Sequence, residues 1–397
     1  MLVHILREHN VNKILLSHLG LWPFQNNFIR NFLPILYLVC ETSYFLLEVS
    51  VLYNYWEDAQ VTFETFYHIV SLAMFIIKLL NEFLNRDKIQ RLYETMEKHW
   101  NIFTSEFERS ILKDYSITSR KFSIFYLTII YSMSAIFIIV PLKPVLFDIV
   151  RPFNESRPRV FAISIDWIID KDKYFVPLLC YSTSVIMAGV MIIVGTDSVH
   201  VTRTVHACSL FSIISQQFEN IISKLIINEK INESCSKSTC EQTIYQEYVI
   251  CLKKYQLALQ FVDLLNSIYR TTALILLFLI AAFISLVGVR VVSVLDQLEE
   301  AIRYSFGIIG MLVQLLVLCY FGQMLIDESQ NVFHRIYAAE WYKFSPRLKS
   351  LLIITLHRSF IPCSLTAGNI IPLSMTTYAM VLRASMSYFT TFLSLRD

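Results

Sequence analysis

The stretch Asn369 to Leu395, NIIPLSMTTYAMVLRASMSYFTTFLSL, decides the fold, because it is long and apolar enough to cross a membrane and also carries a polar stripe. The stripe consists of Arg383, Ser387, Thr390 and Ser394, and on an α-helix the last three lie within about 40° of Arg383. Polar side chains in hydrocarbon need a partner or water, so the stripe predicts a water-lined path or a polar contact between helices. A pore helix is the first hypothesis. Bundle packing, with the hydroxyls bonded to their own backbone carbonyls, is the alternative.

The rest of the chain has the composition of a polytopic membrane protein. Of its 397 residues, 55% are hydrophobic and 17% are charged, whereas soluble domains contain about 25% charged residues. Runs of about 20 apolar residues predict an all-α fold with seven transmembrane helices. These predicted spans are 32–52, 63–83, 122–142, 174–196, 268–289, 304–326 and 371–395. The net charge is +2 and no basic block alternates with aromatic residues, so nucleic acid is not a predicted partner.

The distribution of Lys and Arg over the loops predicts the orientation. The segments on the side of the N-terminus carry 16 of these residues and those on the opposite side carry nine, with the long segment 197–267 left out. This excess favours a cytoplasmic N-terminus, and seven spans then place the C-terminus outside the cell. We predict no cleavable signal peptide, because the apolar patch 14–21 is short and lacks a small-residue exit.

The predicted outside loops contain no cysteine, which argues against a disulfide-braced outer surface. The longest of them, 143–173, contains the sequon Asn-Glu-Ser beginning at Asn154, which is a candidate glycosylation site. On the opposite side, residues 196–287 contain neither Gly nor Pro, so long helices should run out of the membrane from spans four and five. The polar stretch 228–239 is the predicted turn of this helical hairpin. Packing within the chain and packing against neighbouring subunits both remain open.

Enzymatic chemistry is not predicted. His200 and His206 fall on different faces of a helix, and the sequence has no HExxH or CxxC motif and no Gly-rich phosphate loop. We therefore expect no catalytic residues, no metal site and no cofactor. For three of the charged residues within the predicted spans the sequence suggests an environment. Glu41 should face the bundle interior as a ligand or ion contact or as a structural group, Lys78 should snorkel without a special role, and Arg383 should face a wide vestibule, a carboxylate or a backbone carbonyl.

A series of short motifs runs through about 80 residues of the C-terminal third. These motifs are Cys319-Tyr320-Phe321-Gly322-Gln323, Asp327-Glu328-Ser329, Tyr337-Ala338-Ala339-Glu340-Trp341-Tyr342, Leu365-Thr366-Ala367-Gly368, Pro372-Leu373-Ser374, Val381-Leu382-Arg383-Ala384-Ser385 and Ser387-Tyr388-Phe389-Thr390. With them the chain resembles the insect odorant receptors, and elsewhere the resemblance is one of layout. The related gustatory receptors end their last span differently, and the fourth loop is shorter than in the shared co-receptor. The chain therefore resembles a ligand-tuned odorant receptor subunit.

The resemblance implies an odorant-gated, non-selective cation channel in the plasma membrane of a sensory neuron dendrite. It implies a heterotetramer with the co-receptor, in membrane lipid, with the last span 371–395 of each subunit around a central pore. The positions that match the pore constriction are Thr391 and Leu395, with Ser394 beside them and Ser387 further along the helix. Thr391 departs from the aliphatic residue usual in the co-receptor, which suits a heteromer. Segments 197–267 and 327–361 resemble the cytoplasmic anchor region within the single domain 1–397.

The family's ligand pocket lies among spans two, three, four and six in their outer halves. An apolar, aromatic cage with a few hydroxyls would hold a small volatile mainly by burial, although ordinary bundle packing is the alternative for each side chain. By depth and helical spacing the candidate ligand-binding residues are Phe66, Tyr67, Val70, Tyr131, Ser134, Ala135, Ile138, Tyr181, Val185, Ile308 and Met311.

Three other classes of membrane protein are alternatives to an odorant receptor. A G-protein-coupled receptor also has seven spans, but this chain lacks Asp-Arg-Tyr after span three, Asn-Pro-x-x-Tyr in span seven and a cysteine pair outside. A gustatory receptor channel is the nearest alternative by resemblance. A solute transporter would contain a pseudo-repeat with broken helices, and the sequence has no such internal similarity.

Overall fold

The computed structural model describes residues 4, 7, 9–150, 174–231, 237–338, 341 and 344–396. Within these ranges the chain forms ten helices and one two-stranded sheet. The helices are α1 Asn10–His18, α2 Asn27–Asn54, α3 Ala59–Leu84, α4 Arg86–Ile102, α5 Glu106–Val150, α6 Phe175–Ile231, α7 Lys237–Ser293, α8 Leu298–Tyr337, α9 Pro346–Ser359 and α10 Met375–Arg396. The strands are β1 Thr366–Ala367 and β2 Ile371–Pro372, which pair antiparallel.

Five helices in the described part are long and apolar enough to cross a membrane. They are α2, residues 61–84 of α3, residues 175–224 of α6, residues 242–293 of α7 and residues 300–337 of α8. The two other predicted spans lie on α5 and α10. The polar stripe lowers the mean hydropathy of α10, which explains why it stands apart from the other five.

Helices α6 and α7 are 57 residues each, about 85 Å at the α-helical rise, and a bilayer core is only about 30 Å thick. Both therefore extend well beyond the membrane, as expected where no Gly or Pro interrupts them. One apolar stripe from each helix is buried there, including Phe211 and Phe218 on α6 and Tyr248 and Tyr255 on α7. We call this part of the molecule, residues 197–231 and 237–267 with the helices packed on it, the hairpin end.

Ion pairs are buried at the hairpin end and next to it. Arg203 is completely buried and donates to both carboxylate oxygens of Glu82, at 3.0 and 3.1 Å, and Tyr269 donates to the same carboxylate at 2.8 Å. Lys78 pairs with Asp197, whose other oxygen accepts from Tyr126. The prediction that Lys78 snorkels without a role was wrong. Its partner is on another helix, 119 residues away in sequence, where a reading of one span cannot find it.

The last helix begins at Met375, four residues later than the predicted start of its span at 371. Residues 365–373 instead form a β-hairpin, in which the Leu373 N–H donates to the Leu365 carbonyl at 2.8 Å. Gly368 and Asn369 supply the positive φ angles of the turn, +64° and +59°, and the Gly368 N–H donates to the Arg270 carbonyl at 2.8 Å. The apolar run continues through this turn, so hydropathy alone places the helix start too early.

Candidate functional site

A cavity of about 180 Å³ lies inside the bundle, between α3, α5, α6, α7 and α8. Engineered protein cavities of about 150 Å³ hold benzene, so this space suits a small organic molecule. Its lining residues are Tyr67, His68, Ser71, Leu72, Phe75, Ile130, Met133, Ser134, Val185, Ile186, Val190, Ile193, Phe283, Val287, Tyr304, Phe306, Gly307, Gly310, Met311 and Gln314. We call this part of the molecule the cavity end.

Four of the predicted ligand-binding residues, Tyr67, Ser134, Val185 and Met311, line the cavity. Phe66 packs instead against Trp56, with ring centroids 6.2 Å apart. The side chain of Ile138 is outside the described part of the chain. The remaining residues, which are half-buried and lie outside the lining, are Val70, Tyr131, Ala135, Tyr181 and Ile308.

Tyr181 on α6 contacts α2 and does not line the cavity. Its hydroxyl is hydrogen-bonded to the Ser43 hydroxyl, and its ring lies 5.8 Å from that of Tyr44. Tyr131 packs on the cluster that contains Tyr126 and Ile130. The predicted position along each helix therefore led to residues in or near the cavity. The sequence did not reveal which face of each helix points into it.

One wall of the cavity is aromatic. The Tyr67 ring packs edge-on against Phe283 at 6.1 Å and against Tyr304 at 5.6 Å between centroids. Edge-to-face pairs of this kind are favourable beyond their area burial. Phe283 comes from α7, a helix that we had left out of the predicted pocket.

Most hydroxyls at the cavity are bonded within the protein. Ser71 donates to the Tyr67 carbonyl at 2.9 Å and Ser134 to the Ile130 carbonyl at 2.7 Å, which is the usual bond of a serine to its own helix. The Tyr304 hydroxyl accepts from Arg303 at 3.0 Å. A ligand would thus meet a largely apolar surface with few free polar groups.

A buried acid and a histidine adjoin the cavity. Glu48 on α2 is completely buried, and its Oε1 lies 3.3 Å from Nδ1 of His68, which lines the cavity. Our sequence reasoning missed both residues. Glu48 follows Glu41 by seven positions on one face of α2, and a second acid within the same apolar run was the signal that could have revealed it.

Glu41 is completely buried, in agreement with the prediction that it faces the bundle interior. Arg383 is exposed on the surface of this chain. Asn154 lies outside the described residues. Within the ranges that the structure describes, no group of three or more His, Cys, Asp or Glu side chains could hold a metal ion.

The polar stripe on α10 is exposed along its length. Ser387, Thr391 and Ser394 are all exposed, and the hydroxyls of Thr391 and Ser394 each donate at 2.9 Å to a carbonyl of the same helix. The hydroxyls are therefore satisfied without water, and their oxygens can still accept a hydrogen bond from it. The side chain of Leu395 lies outside the described part.

The opposite face of α10 packs on α7. Ser385 is completely buried, and its carbonyl accepts a hydrogen bond from Ser285 at 3.1 Å. Near it, a Cβ added to Gly288 would lie 2.9 Å from the Phe389 ring, so the glycine permits the close approach. The same two turns of α7 supply Phe283 and Val287 to the cavity. One short part of α7 thus separates the cavity from the last helix.

These features define a helical membrane protein with an internal cavity of small-molecule size and an exposed polar face on its last helix. The sequence profile of the family described as "7tm Odorant receptor" matches residues 58–386. The chain belongs to the insect odorant receptor family. This is a family of receptors and not of enzymes, which confirms both the resemblance and the expectation that the protein has no catalytic role.

Individual relatives are distant. The chain is 33% identical to odorant receptor 67a of Drosophila melanogaster over 131 residues, which are 33% of this chain and 32% of that receptor. It is 22% identical to odorant receptor Or2 of Anopheles gambiae over 342 residues, 85% of this chain and 86% of that receptor. The match thus spans about a third of the first relative and most of the second.

The fold is shared with a solved receptor. The structure of the insect olfactory receptor OR5 from Machilis hrabei superposes with a TM-score of 0.77 over 99% of each chain at 12% identity. Its complex with eugenol superposes with a TM-score of 0.75 over the same share of both chains. This likeness confirms the prediction of an all-α membrane protein with seven transmembrane helices.

Proposed function

We propose that this chain is a ligand-tuned odorant receptor subunit that binds a small volatile molecule in the cavity among α3, α5, α6, α7 and α8. The observation that carries the proposal is the cavity itself, which is about 180 Å³ and almost wholly apolar in its lining. Burial of a volatile in such a space yields roughly 25 cal/mol per Å² of apolar surface. The eugenol complex of the Machilis receptor, a small aromatic bound in the same fold, supports a ligand of this class.

The second part of the proposal is that α10 lines a cation pore. The pore residues are Ser387, Thr391, Ser394 and Leu395, and the exposure of the first three supports this role, because an exposed polar stripe is costly against lipid. Several copies of α10 must enclose such a conduit. We propose that they come from a heterotetramer with an odorant co-receptor, as the family resemblance implies. In each subunit, the face of α10 that contacts α7 lies against its own bundle, and the polar stripe of α10 faces the pore.

The proposed orientation places the N-terminus and the hairpin end in the cytosol and the C-terminus outside, in the plasma membrane of a sensory neuron dendrite. The Lys and Arg distribution supports this orientation. Residues 197–267 and 327–361 would then form the cytoplasmic anchor region at which subunits meet. The length of α6 and α7 beyond the bilayer supports such a region.

Ligand-evoked current tests the proposal in cells in which G-protein signalling is blocked, with and without a co-receptor. We expect a rapid current only when both subunits are present. The Gly310→Val variant should reduce the response to a panel of volatiles about tenfold or more, because a Cβ at Gly310 projects into open space and the added methyls would occupy the cavity. Ile308→Val, on the same helix but outside the cavity lining, is the matched control.

The same recordings test the pore. Thr391→Cys should become sensitive to a water-borne thiol reagent during activation, whereas Val381→Cys, buried on the α7 side of the same helix, should not. The unmodified chain gives the background from its native cysteines. A current that is lost when G proteins are blocked, or a Gly310→Val variant with unchanged responses and normal surface expression, would contradict the proposed function.

A further inference from the structure

We propose that Gln314 makes the cavity selective for neutral oxygenated volatiles, namely alcohols and carbonyl compounds, over hydrocarbons of the same shape. This inference rests on the proposed function of the cavity and names the class of ligand that it takes. Gln314 lies on α8 and lines the cavity, and only 4% of its surface is exposed. Within the part of the chain that the structure describes, its amide makes no hydrogen bond.

An amide that faces an apolar cavity without a protein partner has unmet hydrogen-bonding capacity, which a polar group of a ligand can fill. The neighbouring cavity hydroxyls differ in this respect. Ser71 and Ser134 donate to carbonyls of their own helices, and Tyr304 is bonded to Arg303. The Gln314 amide is therefore a neutral lining group whose hydrogen bonds a ligand could supply, whereas His68, the other polar side chain of this kind, already faces the Glu48 carboxylate at 3.3 Å.

The position of Gln314 sets where the ligand's oxygen would lie. Tyr304 and Gln314 are ten positions apart on α8, which is about 15 Å along the helix axis, so the aromatic wall and the amide occupy different ends of the cavity. Gly310, one turn before Gln314, leaves open space where a side chain would be. A small ligand can thus place its apolar body along Gly310 while its oxygen reaches the amide.

The amide also favours a neutral ligand over a charged one. It offers N–H donors to a carbonyl oxygen and a carbonyl acceptor to a hydroxyl group, but no charge to balance an ion. The other lining residues are mostly apolar, and the Glu48 carboxylate faces His68 and is not part of the lining. A carboxylate or an ammonium group placed at Gln314 would thus have no charged partner to compensate for its lost hydration. Neutral alcohols, aldehydes, ketones and esters meet these conditions, and an alkane leaves the amide unpaired.

The test uses methylcyclohexane, cyclohexanol and cyclohexanone, which have the same number of non-hydrogen atoms and nearly the same shape. Ligand-evoked current and thermal stabilisation of the purified full chain are measured for each compound. We expect the parent chain to respond to the alcohol and the ketone at concentrations about tenfold lower than to the hydrocarbon. Gln314→Met keeps the length of the side chain without the amide, and it should abolish this preference by weakening the responses to the alcohol and the ketone relative to the methylcyclohexane response.

Met311→Leu, one turn away in the same cavity, is the matched control and should shift the three compounds together. Gln314→Leu is a second apolar variant in case Gln314→Met fails to reach the cell surface. Equal loss of all three responses in the Gln314 variants, or no preference in the parent chain, would overturn the inference. The Gly310→Val result distinguishes a failure of this inference from a failure of the proposed function. If that variant still weakens the responses to all ligands, the cavity remains the binding site and only the proposed role of Gln314 is wrong. A parent chain that binds none of the three compounds would also overturn it.

Discussion

The cavity end and the hairpin end of the bundle differ in how their buried polar groups are paired. At the hairpin end Arg203 is bonded to Glu82, and Glu108 pairs with Lys254. At the cavity end Gln314 makes no hydrogen bond in the described part of the chain, and open space faces Gly310. Buried charges that are paired in this way hold their helices in one arrangement, whereas unmet hydrogen bonds beside free volume gain stability when something enters the space. The paired charges of the hairpin end thus form a permanent framework, whereas the cavity end is a site that a ligand can enter and leave.

The largest expected effect comes from breaking the framework. Arg203→Met leaves the buried carboxylate of Glu82 without its cation, so we expect a loss of about 3–5 kcal/mol in the free energy of unfolding. Thermal unfolding and the monodisperse fraction of the detergent-purified chain measure it. Lys224→Met is the control, because Lys224 pairs with Glu247 at 3.0 Å with 58% and 38% of the two side chains exposed. That surface pair should contribute about 0–1 kcal/mol. Equal melting temperatures for the two variants would contradict the comparison.

Acidification should also affect the hairpin end. Burial lowers the pKa of His9 and of His99 from 6.5 to about 4, with the Arg120 charge as a second cause at His9. Both histidines are thus neutral in the folded chain, while the unfolded chain binds their protons below pH 6.5. Stability is therefore complete above that pH and is lost as the pH falls toward about 4, by up to about 3 kcal/mol for each group.

Melting temperatures of the purified chain from neutral to acidic pH check this expectation. His99 packs against His206, with 3.1 Å between Nδ1 and Nε2, so His99→Phe should flatten the pH dependence through removal of one titrating group. The cavity ligand's effect on the melting temperature should persist over the same range until the hairpin end unfolds. A melting temperature that does not change with pH would show that the buried histidines are not linked to folding.

The smallest effect sharpens the comparison along one helix. A Cβ at Gly322 on α8 would collide with the Leu373 carbonyl oxygen, so Gly322→Ala should cost about 1–3 kcal/mol by overpacking. Gly310→Ala, on the same helix, meets nothing within 4 Å and should stabilise the chain by up to about 1 kcal/mol through helix propensity. Differential scanning fluorimetry of the two variants tests both signs at once. Two destabilised variants would mean that the space at the cavity end is not free.

Hydropathy was sufficient to predict the membrane-spanning helices, because each span is a local property of the sequence. It placed all but the last span within or almost within the observed helices, and it identified the stripe on α10, which needs only the helical repeat. The early start at 371 shows the limit. Hydropathy does not distinguish an apolar β-turn stabilised by Gly368 from the first turn of a helix.

The candidate site depended on information that is not local. Whether Tyr67 or Phe66 faces the cavity is decided by the rotation of α3 against its neighbours, and Tyr181 shows how a wrong rotation carries a residue to another interface. Gln314 and Phe283 were missed because their importance arises only where five helices meet. The pairing of Lys78 with Asp197 was missed for the same reason.

The contact of α10 with α7 gives the molecule a short mechanical path. Phe283 and Val287 touch the cavity, while Ser285 and Gly288, within the same six residues, hold the last helix. An occupant that pushes this turn outward by a fraction of an ångström moves the α10 attachment by a similar amount, since a close-packed helix transmits displacement as a rigid body. If the cavity binds the ligand and α10 lines the pore, as proposed, this shared part of α7 is sufficient to couple the two.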